Sequence, residues 1–162
     1  MFEGFQIFDI PVQDDVKIHG VRSGTGPALL LLHGFPQTHH IWYKVAPHLT
    51  ANYNVIIPDL RGYGQSSKPK GSESHREYAK STMARDFVAL MQKLGFEEFY
   101  VCAHDRGARV AHKLCIDFAP NVKKAILLDI CPTLAMFEQT SMLFAKAYWH
   151  VSIYVSESFC DH

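Results

Sequence analysis

Four short apolar runs, each closed by a turn, dictate the architecture open to this chain. Ala28 to Leu32 reads Ala-Leu-Leu-Leu-Leu, Val55 to Ile57 ends at Pro58, and Phe99 to Ala103 and Ala125 to Leu128 follow. A strand with one wet face alternates apolar and polar residues. A run that is apolar at nearly every position fits a strand buried on both faces, the usual state in a parallel sheet. Parallel neighbours need a long crossover, which predicts helices between the runs. Ala84, Phe87, Val88, Met91 and Leu94 recur at helical spacing and Gly95 supplies a stop, so a helix is expected over Tyr78 to Leu94. Further helices are expected from His40 to Leu49 and from Gly107 to Phe118. Two strands, Gln6 to Ile10 and Val16 to Val21, come first, joined by a polar turn at Gln13-Asp14-Asp15. The sum is an α/β fold with a mostly parallel sheet.

Composition narrows the function classes. A chain of 162 residues suits one core. Sixteen basic residues balance sixteen acidic ones, which leaves no global field for nucleic acid or an anionic membrane. The start, Met1-Phe2-Glu3-Gly4-Phe5, is no secretory signal, and Ala28 to Leu32 is too short to span a bilayer. Cys102, Cys115, Cys131 and Cys160 form no CxxC pair and suit a reducing compartment, so the expected location is cytoplasmic. None of the ten histidines falls in an HExxH pattern or a Cys/His ligand spacing, and neither metal nor cofactor is expected.

In open parallel sheets chemistry sits beyond the carboxyl ends of the strands. Ala103-His104-Asp105-Arg106-Gly107 lies at such a point, between a strand and a helix. Its spacing is that of a nucleophile elbow, small residues flanking a sharp turn, with Asp105 where serine hydrolases place Ser. The plain alternative is that Asp105 only caps the helix. His33-Gly34-Phe35-Pro36-Gln37 follows an earlier strand end, and Asp59-Leu60-Arg61-Gly62-Tyr63-Gly64-Gln65-Ser66 another. Arg106 and Arg109 share a face in the first turn of the helix, where cations oppose the macrodipole. Guanidinium forks match carboxylates, so the pair reads as an anion clamp; a structural salt bridge to an acid such as Asp129 is the alternative.

These segments resemble the haloacetate (fluoroacetate) dehalogenase branch of the α/β-hydrolases, from about Gly26 to His150, most specifically at His104-Asp105-Arg106-Gly107-Ala108-Arg109. The resemblance implies an α/β-hydrolase fold in which Asp105 displaces halide from a haloacid and forms an ester that water then hydrolyses. It makes Asp129 the acid of the triad, places the substrate carboxylate on Arg106 and Arg109, and makes His150 a halide ligand. The backbone N–H groups of Phe35 and Arg106 become the oxyanion hole. The implied partner is a small haloacid or other small carboxylate. Epoxide hydrolases share the scaffold and remain the alternative enzyme; a non-catalytic protein that binds small carboxylates or a partner is the other.

The sequence departs from the family pattern in places. Ala103 stands where the family has Gly, and Val151 follows His150 where it has Trp. The cap tyrosine and the base histidine, which the family carries much later, have no counterpart here. His104 is expected on the other face of its strand, His112 lies within a helix and His162 is terminal. The chain is therefore expected to hold an N-terminal part of the core over residues 1–133 and the start of a cap-like helical region over 134–162, incomplete at the C-terminus. Such a chain should fail to complete turnover, and with sheet strands missing it should self-associate.

Overall fold

The computed structural model describes residues 1–13, 15–131, 138 and 141. Residues Met1–Ile130 form one compact unit. Its strands are β1 (Gln6–Gln13), β2 (Val16–Ser23), β3 (Ala28–Leu32), β4 (Asn54–Pro58), β5 (Phe99–His104) and β6 (Val122–Leu128). Its α-helices are α1 (Ala46–Leu49), α2 (Lys80–Lys93) and α3 (Asp105–Asp117). The sheet order is β1-β2-β4-β3-β5-β6. β1 and β2 pair antiparallel, β2 meets β4 antiparallel, and β4, β3, β5 and β6 are mutually parallel. The expected fold, mixed but mostly parallel, is the one observed.

The apolar runs behave as their composition requires. Ala28 through Leu32 are buried at every position. Leu30, Leu32, Ile56, Val101 and Ala103 join one core with Phe87, Met91, Ala108 and Leu114 of α2 and α3. Leu29, Leu31, Val55 and Ile57 join a second with Trp42 and Ala46. Each such aliphatic side chain contributes roughly 1.5–3 kcal/mol on leaving water. The sheet is thus covered on both faces, which is why β3 and the Val55 to Pro58 run of β4 hold no polar residue.

One expected element is different. The helix predicted over His40 to Leu49 is a 3₁₀ turn, His39–Trp42, followed by the short α1. A continuous helix would put the Pro47 ring against the carbonyl of Tyr43. The chain instead restarts, with Pro47 in the first turn of α1, where its missing N–H has no consequence. The parallel strands all run toward one edge, so the turns after β3, β4 and β5 gather there. β6, an outer strand among the described residues, carries Ile126, Leu127 and Leu128 exposed.

Candidate active site

α3 starts two residues earlier than its apolar pattern indicates, because Asp105 is its first residue. Asp105 has φ of 47°, in the left-handed region that a side chain adopts at a cost of roughly 1–2 kcal/mol. The flanking small residues explain how the turn closes. A Cβ on Gly107 would collide with the His33 carbonyl oxygen and with Leu32, so strand and helix can approach only with glycine there. A Cβ on Gly34 would collide with the Asp105 side chain. The helix-cap alternative does not hold: the residue in the cap position is His104, which makes no side-chain cap bond. The Asp105 carboxylate turns instead toward the loop after β3, where its Oδ1 accepts the Phe35 N–H at 2.8 Å.

Two loops are tied together to hold that N–H. His33, fully buried, bonds through Nδ1 to the Gly34 carbonyl at 2.9 Å and accepts the Leu60 N–H on Nε2 at 3.0 Å. That pattern needs the neutral ring, and burial, with its neighbour His39, lowers the His33 pKa against the pull of the Gly34 carbonyl and Asp59. Asp59 closes β4. Its Oδ1 accepts the His39 N–H and the His39 ring Nδ1, both at 2.8 Å, and its Oδ2 accepts the Gln65 N–H at 2.9 Å. Burial pushes the Asp59 carboxyl up, but these bonds outweigh it and hold it well below the usual range. Gly64 is required because a Cβ would strike Asp59. Arg61 leaves the same loop to meet Asp86 of α2, through Nε at 2.7 Å and Nη2 at 2.6 Å.

The arginines lie where the sequence places them. Arg106 and Arg109 are the second and fifth residues of α3, and the Arg106 guanidinium stands 5.3 Å over the Phe35 ring. A third cation, which no motif in the sequence marks, lies near them. Lys80, half-buried at the start of α2, feels Arg106, Arg109 and Asp105, and its Nζ is 3.8 Å from the Met83 sulfur. The argument that singles out the arginines, a cation in a helix's first turn where it opposes the macrodipole, applies equally to Lys80, whose helix has no acid in its first turn.

Asp129 follows β6 with φ of 54° and an exposed side chain. Its Oδ2 lies 3.5 Å from His104 Nε2, while His104 Nδ1 is buried without a partner. The strand's alternation sets His104 on the face of Tyr100 and Cys102, which pack in the second core. His150 lies outside the described residues, as do His162 and nearly all of the expected cap-like region. His19, His39 and Asp59 place ligand-capable atoms within 4.8 Å of one another. Hydrogen bonding accounts for the group, since His39 serves Asp59 and His19 bonds Asp9 at 3.2 Å. A polar cleft of about 210 Å³ between Gln6, Arg22 and Asn54 lies at the opposite end of the strands from Asp105. No described helix is long and apolar enough to cross a membrane.

Comparison with known proteins places this fold in a family. Residues 27–150 match the family described as having the alpha/beta hydrolase fold. A fluoroacetate dehalogenase from Burkholderia sp is 50% identical over 150 residues, covering 93% of this chain and 49% of that protein. A soluble epoxide hydrolase from Corynebacterium sp. (strain C12) is 39% identical, over 73% of this chain and 40% of its own length. Among solved structures, a protein from Nostoc sp PCC 7120 assigned to the alpha/beta hydrolases superposes with a TM-score of 0.90 at 50% identity, covering 93% of this chain and 51% of its own. The chain thus spans about half the length of the relatives it matches.

Proposed function

This chain belongs to the α/β-hydrolase fold family, and from that premise we propose that it displaces halide from the α-carbon of a small haloacid, with Asp105 as the nucleophile. The observation that carries this reading is the elbow itself: a carboxylate at φ 47°, one oxygen held by the Phe35 N–H, with Arg106, Arg109 and Lys80 around it. A neutral substrate gains nothing from such a cluster, whereas a haloacid brings a carboxylate that a guanidinium fork can hold. The identity to fluoroacetate dehalogenase points the same way.

On this reading Asp105 Oδ2 attacks the substrate methylene, a C–O bond forms and the carbon–halogen bond breaks. The halide leaves with the electron pair and no proton moves. The N–H groups of Phe35 and Arg106 then stabilise the oxyanion when water attacks the ester. Asp129 is the triad acid and His150 the halide ligand. Among the described residues the histidine beside Asp129 is His104, set on the strand face away from α3, so we assign this chain a single displacement without turnover. Residues 1–133 then serve as the core and 134–162 as the beginning of a cap, with self-association through β6.

Incubation with bromoacetate, after all four cysteines, Cys102, Cys115, Cys131 and Cys160, are blocked, tests the assignment. Peptide mass spectrometry should find one carboxymethyl group on Asp105 and none in Asp105→Asn, with one equivalent of halide released. Continuous halide release would refute the single displacement, and an unlabelled Asp105 would refute the nucleophile.

A further inference from the structure

We propose that Lys80 is a specificity-determining residue of the Asp105 site, a third cation that with Arg106 and Arg109 makes the site take a small carboxylate anion in preference to a neutral alkyl halide or epoxide. The proposal rests on the reading above for its chemistry but is argued from placement. α2 joins β4 to β5 and α3 joins β5 to β6, and all three strands are parallel to one another. Both helices therefore run against the strands, pack side by side, and begin at the sheet edge that carries Asp105. Lys80 is the first residue of α2, whose first turn holds no acid; Arg106 is the second residue of α3, whose only first-turn acid is Asp105. Two positive helix ends and three cations thus meet around one carboxylate, an arrangement that opposes both helix dipoles.

The environment of the ammonium agrees. Among the described residues Lys80 has no ion pair with an acid, and its Nζ points to the Met83 sulfur, a weak acceptor. Burial, with repulsion from Arg106 and Arg109, brings its pKa down to about 8 against the attraction of Asp105. A cation so placed is neutralised by an incoming anion. With a neutral substrate it stays uncompensated, so its charge separates the two substrate classes.

The test compares the intact chain with Lys80→Met and Lys80→Arg. Two readouts are used: acetate binding by NMR titration, and the rate ratio of Asp105 labelling by bromoacetate over bromoacetamide, its neutral analogue of similar size. Lys80→Met should weaken acetate binding and lower the ratio about tenfold, the scale of one charge-assisted contact, through half-saturation and not through the limiting rate. Lys80→Arg should restore both. The wild-type ratio should fall as pH rises through about 8, while the Lys80→Arg ratio stays level. If Lys80→Met keeps the wild-type ratio and acetate affinity, the Lys80 proposal fails while the nucleophile reading stands. If acetate binds and depends on Lys80 but Asp105 takes no label, the nucleophile reading fails and the Lys80 proposal stands. A wild-type chain that binds no acetate overturns Lys80 outright.

Discussion

Asp86→Ala should be among the most destabilising single changes in the fold, and the structure allows its size to be worked out. Asp86 is wholly buried and accepts three bonds: Arg61 Nη2 at 2.6 Å, Arg61 Nε at 2.7 Å and Gln13 Nε2 at 2.9 Å. Removing it strands a buried guanidinium whose other bond here is Nη1 to the Glu77 carbonyl at 3.1 Å. Breaking a buried pair from one side costs about 3–5 kcal/mol. A domain's whole stability is only about 5–15 kcal/mol, so the variant should be close to unfolding. Burial nonetheless raises the Asp86 carboxyl pKa in spite of Arg61, so the attraction does not fully offset desolvation. The pair as a whole should therefore contribute little, and Arg61→Met combined with Asp86→Leu should regain most of the loss. Urea unfolding followed by circular dichroism on the wild type, Asp86→Ala, Arg61→Met, Asp86→Leu and the double variant gives the coupling energy. A cost for Asp86→Ala below about 1 kcal/mol, or a double variant no better than the single, would refute the reasoning.

Three other outcomes are expected. Gly107→Ala should cost about 1–3 kcal/mol in the same unfolding assay, because its Cβ has to displace the His33 carbonyl or part β5 from α3; an unchanged midpoint would show that the elbow is looser than described. Acid should destabilise the fold before most carboxylates titrate. The folded His33 pKa lies below its unfolded value near 6.5, so its contribution is complete above pH 6.5 and is lost as pH falls through the folded value. Asp59 acts with the same sign below about pH 4, and Asp86, shifted upward, with the opposite sign. Melting temperatures that rise between pH 7 and pH 5 would contradict this. Finally, Ile126→Lys should reduce any self-association through β6, measured by light scattering across concentration, whereas a wild type that stays monomeric throughout would dispose of the edge as a contact.

The architecture could be read from the sequence because β3 and the Val55 to Pro58 run of β4 are apolar at every position, and a doubly covered parallel sheet is what accepts such runs. The break at Pro47 is not visible in the pattern, because Ile41, Trp42, Ala46 and Leu49 keep a helical spacing although the backbone restarts between them. Asp105, Arg106 and Arg109 were accessible because they lie in one turn. Lys80 was not, since 25 residues separate it from Asp105 and only the packing of α2 on α3 unites them. The support beneath the site was hidden for the same reason. His33, His39 and Asp59 come from different segments, and nothing in the chain order says that one imidazole will accept an N–H from the next strand's loop.

The Phe35 hydrogen bond bears on the fate of individual oxygen atoms. It makes the two oxygens of Asp105 inequivalent, with Oδ1 held by the amide, so that on the proposed mechanism Oδ2 is the one that meets carbon. An ester formed through Oδ2 keeps Oδ1 as its carbonyl, already polarised by the same N–H. Hydrolysis at that carbonyl would send Oδ2 away in the alcohol product and put a solvent oxygen in its place. In heavy-oxygen water, cleavage of the Asp105 ester should thus leave one heavy atom in the protein and none in the hydroxyacid. A chain that stops at the ester should take up no heavy oxygen at all.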